Sequence, residues 1–520
     1  MNGSQSYCIA VLGGGISGLS AAYSLTQARR QGTPIEVTLL EAGTRLGGII
    51  HTEKVNGFIV EGGPDSFLAE KPEAAVLCRD LGLGDSLIGS NDRERRTYIL
   101  HSSILHRHQL VPLPDGLVLF VPTKFWSMLA TPLLSLSNKV AIAVNWFRQP
   151  HTPGAKPDAL GPEPVSASGR FGDGSPQNAS CDESVAGFVA RHFGDAMVEN
   201  IADPLLAGIF GGDSARLSVR SALPRFFEME AQYGNLRRAV IQSGKERQQQ
   251  SQATGPLFLS LKEGMETLVS ALANRLDNAR ILLGKRVVRI EPRQNGEASG
   301  PAAADASDSK RHRYRICCGD GTFYEADAVI VALPTHQSCR LVSEIDPSLA
   351  QELAGVSYTS AMMVALGYGP GVREKLPKGF GFLVPCKEKR RLLACTFVHN
   401  KFDYRVPAGH ALIRCFLGGA RDPDVLRLGD EEVLAVLKHE LGAILRLSLE
   451  PEFSRVFRWP AAMPQYDLGH AARLNRIETR LKQHPGLFLA GNINTGVGIS
   501  DCIRSGRSAA ERALSMPRGG

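Results

Sequence analysis

The sequence lacks the cysteine spacing of zinc-binding and thioredoxin-like proteins. Its ten cysteines are scattered over 520 residues, and no two of them form a Cys-x-x-Cys pair. We therefore expect reduced thiols rather than a zinc ribbon or a redox-active dithiol. His106 and His108 flank Arg107, but no third metal ligand stands near them in the sequence. We predict no metal site.

The sequence also lacks a run of the about 20 apolar residues that a membrane span requires. Its most apolar segment, 125–138, contains Pro132 and is flanked by Lys124 and Lys139. We predict at most peripheral contact between this segment and a membrane surface. No basic and apolar leader precedes the first predicted strand, so we predict a cytoplasmic protein, at the inner face of a membrane if it binds one.

Charge of one sign is not concentrated anywhere in the chain. The net charge is +7, but the basic residues are dispersed and form only short clusters, such as 93–96 and 387–391. This pattern argues against a nucleic-acid partner, whereas a mild positive excess favours an acidic substrate or anionic lipid. The sequence contains neither a nucleophile elbow nor a P-loop, which excludes two common hydrolase classes.

A glycine-rich turn joins the first predicted strand, 7–12, to the first predicted helix, 19–30. The turn fits G-x-G-x-x-G, whose glycines permit a tight turn, close approach to a pyrophosphate and close helix packing. Free amides and the helix dipole favour anions at this position. A plain turn is the alternative interpretation. We predict that a dinucleotide contacts Gly13, Gly14, Gly15, Ile16, Ser17 and Gly18.

Glu41 follows the second predicted strand, 36–40. A carboxylate at this position accepts hydrogen bonds from ribose hydroxyls and disfavours a 2′-phosphate. The next turn, Arg45-Leu46-Gly47-Gly48, offers the pyrophosphate a cation and further backbone amides. Together these features favour FAD over a nicotinamide cofactor, with contacts from Glu41, Arg45, Gly47 and Gly48.

The order of predicted elements indicates a mixed α/β and α+β fold. Strand, glycine-rich turn and helix recur in 487–514, so we predict a Rossmann-like FAD-binding domain formed by 1–88, 255–335 and 463–520. Strand-like runs within 362–417 predict a mixed-sheet substrate domain formed by 89–109, 214–254 and 336–462. The apolar segment 110–147 and the periodicity of 183–198 predict a helical, membrane-facing domain, 110–213, with a flexible insertion at 149–180.

Several segments carry a resemblance to a known family. They are GGGISGL at 13–19, EAGTRLGG at 41–48, GGPDSF at 62–67, 206–213, 379–385, 459–466, and GNINTGVGISDCIRSG at 491–506. With them the chain resembles the flavin-containing amine oxidases and, within these, the protoporphyrinogen and coproporphyrinogen oxidases of haem synthesis. The resemblance implies FAD, a porphyrinogen substrate and molecular oxygen. It also implies three FAD-mediated hydride abstractions with release of hydrogen peroxide, and no side-chain base.

The resemblance extends to individual positions around the cofactor. It implies that a turn runs beside the flavin at Gly63, Pro64, Asp65 and Ser66, and that amides near the last helix face it at Val497, Gly498 and Ile499. Val288 resembles the residue whose backbone meets the adenine. As bare sequence, these positions are also compatible with an ordinary turn, helix capping and a buried strand valine.

The same resemblance implies a substrate site. Arg96 resembles the arginine that binds a substrate carboxylate, and Lys71 is a second candidate anchor for the propionates. Leu366, Leu383 and Phe402 resemble residues that sandwich the macrocycle, although Phe402 is followed by Asp403 where the family has proline. Gly208, in a segment that reads as a turn, resembles the residue whose carbonyl meets the pyrrole N–H groups. A solvated basic run and plain core positions are the alternatives.

Two other functions remain open at this point. One is oxidation of an amine or a carotenoid-like substrate, which would require no propionate anchor. The other is porphyrin binding by a flavoprotein without turnover. The sequence also does not decide between coproporphyrinogen and protoporphyrinogen, and it leaves open a homodimer and a contact with another enzyme of the haem pathway.

Overall fold

The structure is a computed structural model, and it describes residues 6–102, 108–147, 182–234, 236–249, 255–293, 312–446, 450–494 and 496–517. Three sequence predictions fall wholly or partly outside these ranges: the flexible insertion 149–180, His106 of the pair His106 and His108, and the loop that the low-complexity composition of 292–313 predicts.

The helices are α1 (Ile16–Arg30), α2 (Pro72–Asp80), α3 (Phe125–Ala130), α4 (Leu136–Phe147), α5 (Val185–Phe193), α6 (Asp195–Met197), α7 (Asp203–Phe210), α8 (Val219–Ala222), α9 (Pro224–Tyr233), α10 (Leu236–Gln249), α11 (Glu266–Ala273), α12 (Thr335–Leu341), α13 (Pro347–Ala354), α14 (Val398–Lys401), α15 (Asp430–Leu445), α16 (His470–Leu481) and α17 (Ile499–Leu514). The strands are β1 (Tyr7–Leu12), β2 (Ile35–Leu40), β3 (Thr52–Val55), β4 (Phe58–Glu61), β5 (Phe67–Leu68), β6 (Leu87–Gly89), β7 (Thr97–His101), β8 (Gln109–Pro112), β9 (Leu117–Val118), β10 (Val121–Pro122), β11 (Phe258–Leu261), β12 (Ala279–Leu282), β13 (Val287–Pro292), β14 (Tyr314–Cys318), β15 (Phe323–Ala326), β16 (Ala328–Val331), β17 (Tyr358–Tyr368), β18 (Gly381–Leu383), β19 (Leu392–Phe397), β20 (Ala411–Gly418), β21 (Phe453–Pro464) and β22 (Leu487–Leu489).

The first sheet is parallel and joins distant parts of the chain. Its strand order is β12-β2-β1-β16-β22, and apolar runs such as β16, which is buried along its whole length, are typical of strands covered on both faces. Helices α1 and α17 pack closely, since a Cβ on Gly506 would lie 2.1 Å from the Ser17 carbonyl oxygen. The sheet confirms the predicted α/β, Rossmann-like part of the fold.

The second sheet has seven strands in the order β21-β17-β20-β19-β18-β7-β8. Its pairs are antiparallel except for β18 with β7. Helix α15 covers one face through Val433, Leu437 and Leu441, which pack into the apolar cluster of this sheet. This sheet is the mixed-sheet part of the predicted fold.

A third apolar cluster is formed mainly by helices α3 to α5 and α7 to α10. Three placements differ from the sequence predictions. The start of 110–147 forms β8, β9 and β10 rather than helix, because an apolar run without clear period does not distinguish strand from helix. Residues 219–249 are helices of this third cluster. Helices α12 and α13 pack with the first sheet, whereas the sequence assigned both segments to the substrate domain.

Among the described residues, no helix combines the length and the apolar character that crossing a membrane would require.

Candidate functional site

The turn between β1 and α1 has the shape that its glycines dictate. Gly13 has a φ of +103°, and its N–H donates to the Leu40 carbonyl at 2.8 Å. A Cβ on Gly18 would lie 1.9 Å from the Gly13 oxygen, whereas a Cβ on Gly15 would meet nothing within 4 Å. No side chain caps α1, which begins at Ile16. Its first amides are therefore available to an external anion.

Glu41 closes the edge of this turn. Its carboxylate accepts one hydrogen bond from the Gly14 N–H and one from the Gly43 N–H, both at 2.7 Å. Its backbone is fixed by Leu282 and Lys285 of the neighbouring segment. A carboxylate offers about four acceptor positions, so this side chain retains capacity for the ribose hydroxyls of a dinucleotide.

The turn at 45–50 lies against the first glycine turn. The Gly47 N–H donates to the Gly14 carbonyl at 2.8 Å, and Gly47 has a φ of +104°. The Arg45 guanidinium donates to the carbonyls of Ile50 at 2.9 Å and Gly48 at 2.5 Å. The sequence predicted that Arg45 meets the pyrophosphate, but its donors hold the shape of its own turn, and the backbone at Gly47 and Gly48 faces the first turn instead.

The segment 62–66 continues this surface. A Cβ on Gly63 would lie 1.8 Å from the Ile49 carbonyl oxygen, so only glycine permits this contact between the two turns. Trp459 donates its indole N–H to the Gly62 carbonyl at 2.8 Å, and Arg414 donates to the Gly63 carbonyl. The segment is thereby fixed between the first sheet and the seven-stranded sheet.

Asp65 and Ser66 bind side chains of the second sheet and its connections. The Asp65 carboxylate lies 3.0 Å from Lys401 Nζ and 3.0 Å from Arg414 Nη1, and Ser66 Oγ donates to it at 2.6 Å. Burial alone would raise the pKa of Asp65, but Lys401 and Arg414 hold it well below its usual range. Asp65 is therefore ionised, and it orders this segment from beneath.

A second buried ion pair adjoins the first. Arg405 contacts Glu61 at 2.8 Å, and both side chains are about 1% exposed. Glu61 also accepts hydrogen bonds from Thr52 Oγ1 and the Met265 N–H, although burial raises its pKa. We call Glu61, Asp65, Lys401, Arg405 and Arg414 the charge cluster. Sequence reasoning found only its Asp65.

The last glycine-rich loop leads into α17, whose N-cap is Gly498. The Asp501 side chain, 2% exposed, accepts a hydrogen bond from Lys71 Nζ at 2.6 Å, and a Cβ on Gly496 would lie 2.4 Å from this carboxylate. The predicted propionate anchor Lys71 is therefore already paired with a buried carboxylate. This pair places Lys71 beside Val497, Gly498 and Ile499, where it supports the loop.

Val288 lies in an irregular part of the pairing between β13 and β14, where the register shifts between Val287 and Arg289. Its side chain is 47% exposed, which is against the alternative of a buried strand valine. The segment preceding it contacts Glu41 through the Lys285 N–H. Its backbone is therefore near the end of the groove at which Glu41 lies.

The structure brings together only some of the predicted substrate residues. A Cβ on Gly208 would lie 3.2 Å from Leu383, so these two are neighbours. Gly208 lies in α7, not in a turn, because the left-handed C-cap is Gly211. Leu366 and Phe402 are core side chains, 3% and 1% exposed. Arg96 is exposed beside β7, the strand that pairs with the Leu383 strand.

Phe402 lies between two cations of the charge cluster. The Lys401 Nζ and the Arg405 guanidinium lie 5.2 Å and 5.1 Å from its ring centroid. At these distances the two cations interact with the negative face of the ring. Phe402 therefore packs against two cations of the charge cluster, and its contact with a macrocycle stays a prediction.

Three side chains able to bind a metal converge at the opposite edge of the first sheet. The ligand atoms of Cys8, His312 and Asp327 lie within 4.8 Å of one another, and His312 pairs with Asp327 at 3.2 Å. Cys8 lies near the start of β1, whereas Gly13 follows its end. This group is therefore remote from the glycine turns, and we assign it no part in the site.

Comparison with known proteins gives a consistent result. The family described as flavin containing amine oxidoreductase matches residues 16–514. Coproporphyrinogen III oxidase of Bacillus subtilis (strain 168) is 31% identical, with 98% of each chain covered. Protoporphyrinogen oxidase 2 of Arabidopsis thaliana is 24% identical over 98% of this chain and 94% of its own. A crystal structure from Exiguobacterium sp. 255-15, provisionally named a protoporphyrinogen oxidase, superposes with a TM-score of 0.78 at 29% identity, covering 98% of this chain and 99% of its own.

Proposed function

The chain belongs to the flavin containing amine oxidoreductase family and is an oxidoreductase with a flavin cofactor; from this premise, we propose that it uses FAD and molecular oxygen to oxidise a porphyrinogen in haem biosynthesis. The substrate is coproporphyrinogen III or protoporphyrinogen IX. The observation that carries the proposal is similarity along 98% of the chain to an enzyme named for coproporphyrinogen III oxidation.

The described residues fit FAD rather than a single nucleotide. The open position above Gly15 and the uncapped start of α1 suit a pyrophosphate. Glu41 suits the adenosine ribose, and its carboxylate disfavours a 2′-phosphate. The segment 63–66 and the start of α17 provide backbone beyond the pyrophosphate position, where a flavin ring would be held. When bound, FAD supplies the acceptor for two electrons and the reaction with oxygen.

The balance of the reaction is three oxidations of two electrons each. In each one the macrocycle loses two hydrogens, and one oxygen molecule takes them up to give hydrogen peroxide. The chain's own residues bind and orient the substrate, so that a saturated bridge carbon faces the cofactor while water is excluded. No side-chain base is assigned to this step.

Arg96 is the candidate anchor for a substrate propionate that the structure leaves accessible. Within the described part of the chain its guanidinium has no ion pair or hydrogen bond, whereas Lys71 is paired with Asp501. It lies next to β7, whose partner strand carries Leu383 beside Gly208. An exposed guanidinium near an apolar pair is suited to bind the carboxylate of an otherwise apolar macrocycle.

The test uses purified enzyme carrying its flavin, and it follows porphyrin fluorescence in air with each porphyrinogen separately. Arg96→Ala is expected to raise KM about tenfold, the loss of a charge-assisted hydrogen bond, with little change in kcat. Arg95→Ala, which removes a neighbouring exposed arginine, is the matched control and is expected to leave KM unchanged. Equal KM values for the two variants would remove Arg96 from the site.

We also propose that the protein contacts a membrane peripherally, from the cytoplasmic side. Trp126, Leu136 and Val140 of α3 and α4 are 78%, 79% and 56% exposed, and Lys124 and Lys139 lie beside them. Exposed apolar side chains with adjacent lysines suit the headgroup region of an anionic bilayer. Co-sedimentation with anionic vesicles, reduced in Trp126→Ser, is the expected outcome. Equal sedimentation of this variant and the unaltered protein would contradict the proposal.

A further inference from the structure

Among the described residues, the buried Lys and Arg side chains all lie in one part of the protein. The buried Lys and Arg side chains there are Lys401, Arg405 and Arg414, and all three belong to the charge cluster. Only two carboxylates, Glu61 and Asp65, face them. Burial lowers the pKa of Lys401, and the Asp65 carboxylate 3.0 Å away opposes that shift. With Lys401 protonated, the cluster carries one positive charge in excess, and protonation of Glu61, whose pKa burial raises, would increase that excess.

The pairing within the cluster shows which carboxylate is shared. Glu61 pairs with Arg405 at 2.8 Å. Asp65 is shared between Lys401 and Arg414, each at 3.0 Å. Phe258 and Phe416 lie 4.5 Å and 5.2 Å from the nearest of these cations, measured to the ring centroids, but an aromatic ring compensates only part of a full charge.

The unmatched charge has consequences for whatever lies next to it. Burying a charge without its counterion is unfavourable, so the cluster favours a neighbour that carries negative charge. Its donors are not fully used either, since the Nε atoms of Arg405 and Arg414 have no hydrogen-bond partner in the described part of the chain.

The cluster contacts the segment that would run beside the flavin. Arg414 donates to the Gly63 carbonyl, and Lys401 Nζ donates to Ser66 Oγ at 3.0 Å. The same segment packs against the turn at 45–50, because Gly63 has no side chain to clash with the Ile49 carbonyl oxygen. The excess charge is thus attached directly to the proposed flavin-binding surface.

We propose that the charge cluster raises the midpoint potential of the bound flavin, with Lys401 as the residue that supplies the excess charge. The proposal rests on FAD binding as proposed above. Uptake of two electrons and one proton adds one negative charge to a flavin, and a nearby buried positive charge favours the form with more negative charge. The electrons come from the porphyrinogen, so the cluster makes their acceptance by the cofactor more favourable.

The test measures the midpoint potential of the FAD-bound protein by equilibration with a reference dye. Lys401→Met removes the excess charge and is expected to shift the two-electron equilibrium about tenfold towards oxidised flavin, a fall of about 30 mV. Asp65→Asn removes a negative charge, which enlarges the positive excess, and is expected to raise the potential by a similar amount. Opposite shifts would not follow from general disturbance of the fold.

Three further proteins complete the series. The double variant Lys401→Met with Asp65→Asn restores the original net charge and is expected to return to the wild-type potential. Lys401→Arg retains the charge. Lys438→Met removes an exposed lysine outside the cluster. Both variants are expected to leave the equilibrium within about twofold of wild type, roughly 10 mV.

Each outcome has a distinct meaning. If Lys401→Met and Asp65→Asn shift the potential in the same direction, or neither shifts it, the proposed role of the cluster is overturned while FAD binding stands. If one single variant does not fold, the other single variant and Lys401→Arg still decide the result. If folded wild-type protein binds no FAD, the proposed function itself fails, and this inference fails with it.

Discussion

The glycine turn at 13–18 and the charge cluster both adjoin the proposed FAD site, but they are built in contrasting ways. The turn is neutral, contiguous in the sequence and offers backbone amides. The cluster is charged, buried and assembled from side chains more than 300 residues apart in sequence. The contrast suggests a division of roles. We expect the turn to lose its ligand without loss of the fold, and the cluster to support both the fold and the cofactor.

We expect the largest effect from removing the ion pair between Glu61 and Arg405 in the charge cluster. Arg405→Met leaves the Glu61 carboxylate buried without its cation, and we expect the free energy of unfolding to fall by roughly 3–5 kcal/mol. Denaturant titration of the FAD-saturated protein measures this change. The double variant Glu61→Gln with Arg405→Met removes both charges and should recover most of the loss. A single variant within about 1 kcal/mol of wild type would show that this pair does not stabilise the fold.

The next effect tests the turn. A Cβ on Gly15 meets no protein atom within 4 Å, so Gly15→Ala should fold normally but place a methyl group where the pyrophosphate is proposed to lie. We expect FAD to bind at least tenfold more weakly, about 1.4 kcal/mol, with unchanged stability of the apoprotein. FAD titration monitored by flavin fluorescence gives the affinity.

Gly84→Ala is the matched control for the turn. A Cβ on Gly84 makes only ordinary contact, 3.7 Å from Arg79, and the position is remote from the glycine turns in sequence. Its FAD affinity should equal that of wild type. If Gly15→Ala also binds FAD with wild-type affinity, the pyrophosphate does not lie at this turn.

The smallest effect concerns pH near the cluster. Burial lowers the pKa of His399 to about 4, below an unfolded value of about 6.5. The stability contributed by the neutral ring is therefore complete above about pH 6.5 and is lost as the pH falls towards 4. Between pH 8 and pH 6 we expect a loss of about 0.8 kcal/mol that His399→Gln does not show. Denaturant titrations at both pH values measure this loss. If wild type and His399→Gln lose the same free energy of unfolding between pH 8 and pH 6, the prediction is wrong.

The same contrast decides what the sequence could predict. The turn was predictable because Gly13, Gly15, Gly18 and Glu41 stand at characteristic spacings within one βαβ unit. Lys401, Arg405 and Arg414 carry no local signal, since their ion pairs form only when β20 and the segment after β19 meet residues 61–65. Contacts of that sequence separation follow from the tertiary fold.

The roles predicted for the substrate residues stay predictions, and packing adds contacts at these positions that the sequence did not indicate. Leu366 and Phe402 resemble residues that sandwich the macrocycle in the family, and in this structure both side chains are buried in the core. Lys71 forms an ion pair with Asp501, which is 430 residues away in sequence. Gly208 stands in a glycine-rich segment that reads as a turn, but the helix continues to Phe210 and ends at Gly211. Each difference comes from packing that local patterns do not encode.

The most direct test of the account is to mix the purified, flavin-loaded protein with coproporphyrinogen III or protoporphyrinogen IX in the absence of oxygen. We predict that at least one of them bleaches the flavin absorbance, and that admitting air restores it while porphyrin fluorescence and hydrogen peroxide appear. A folded protein that stays colourless when supplied with FAD, or a flavin band unchanged by either porphyrinogen, would contradict it.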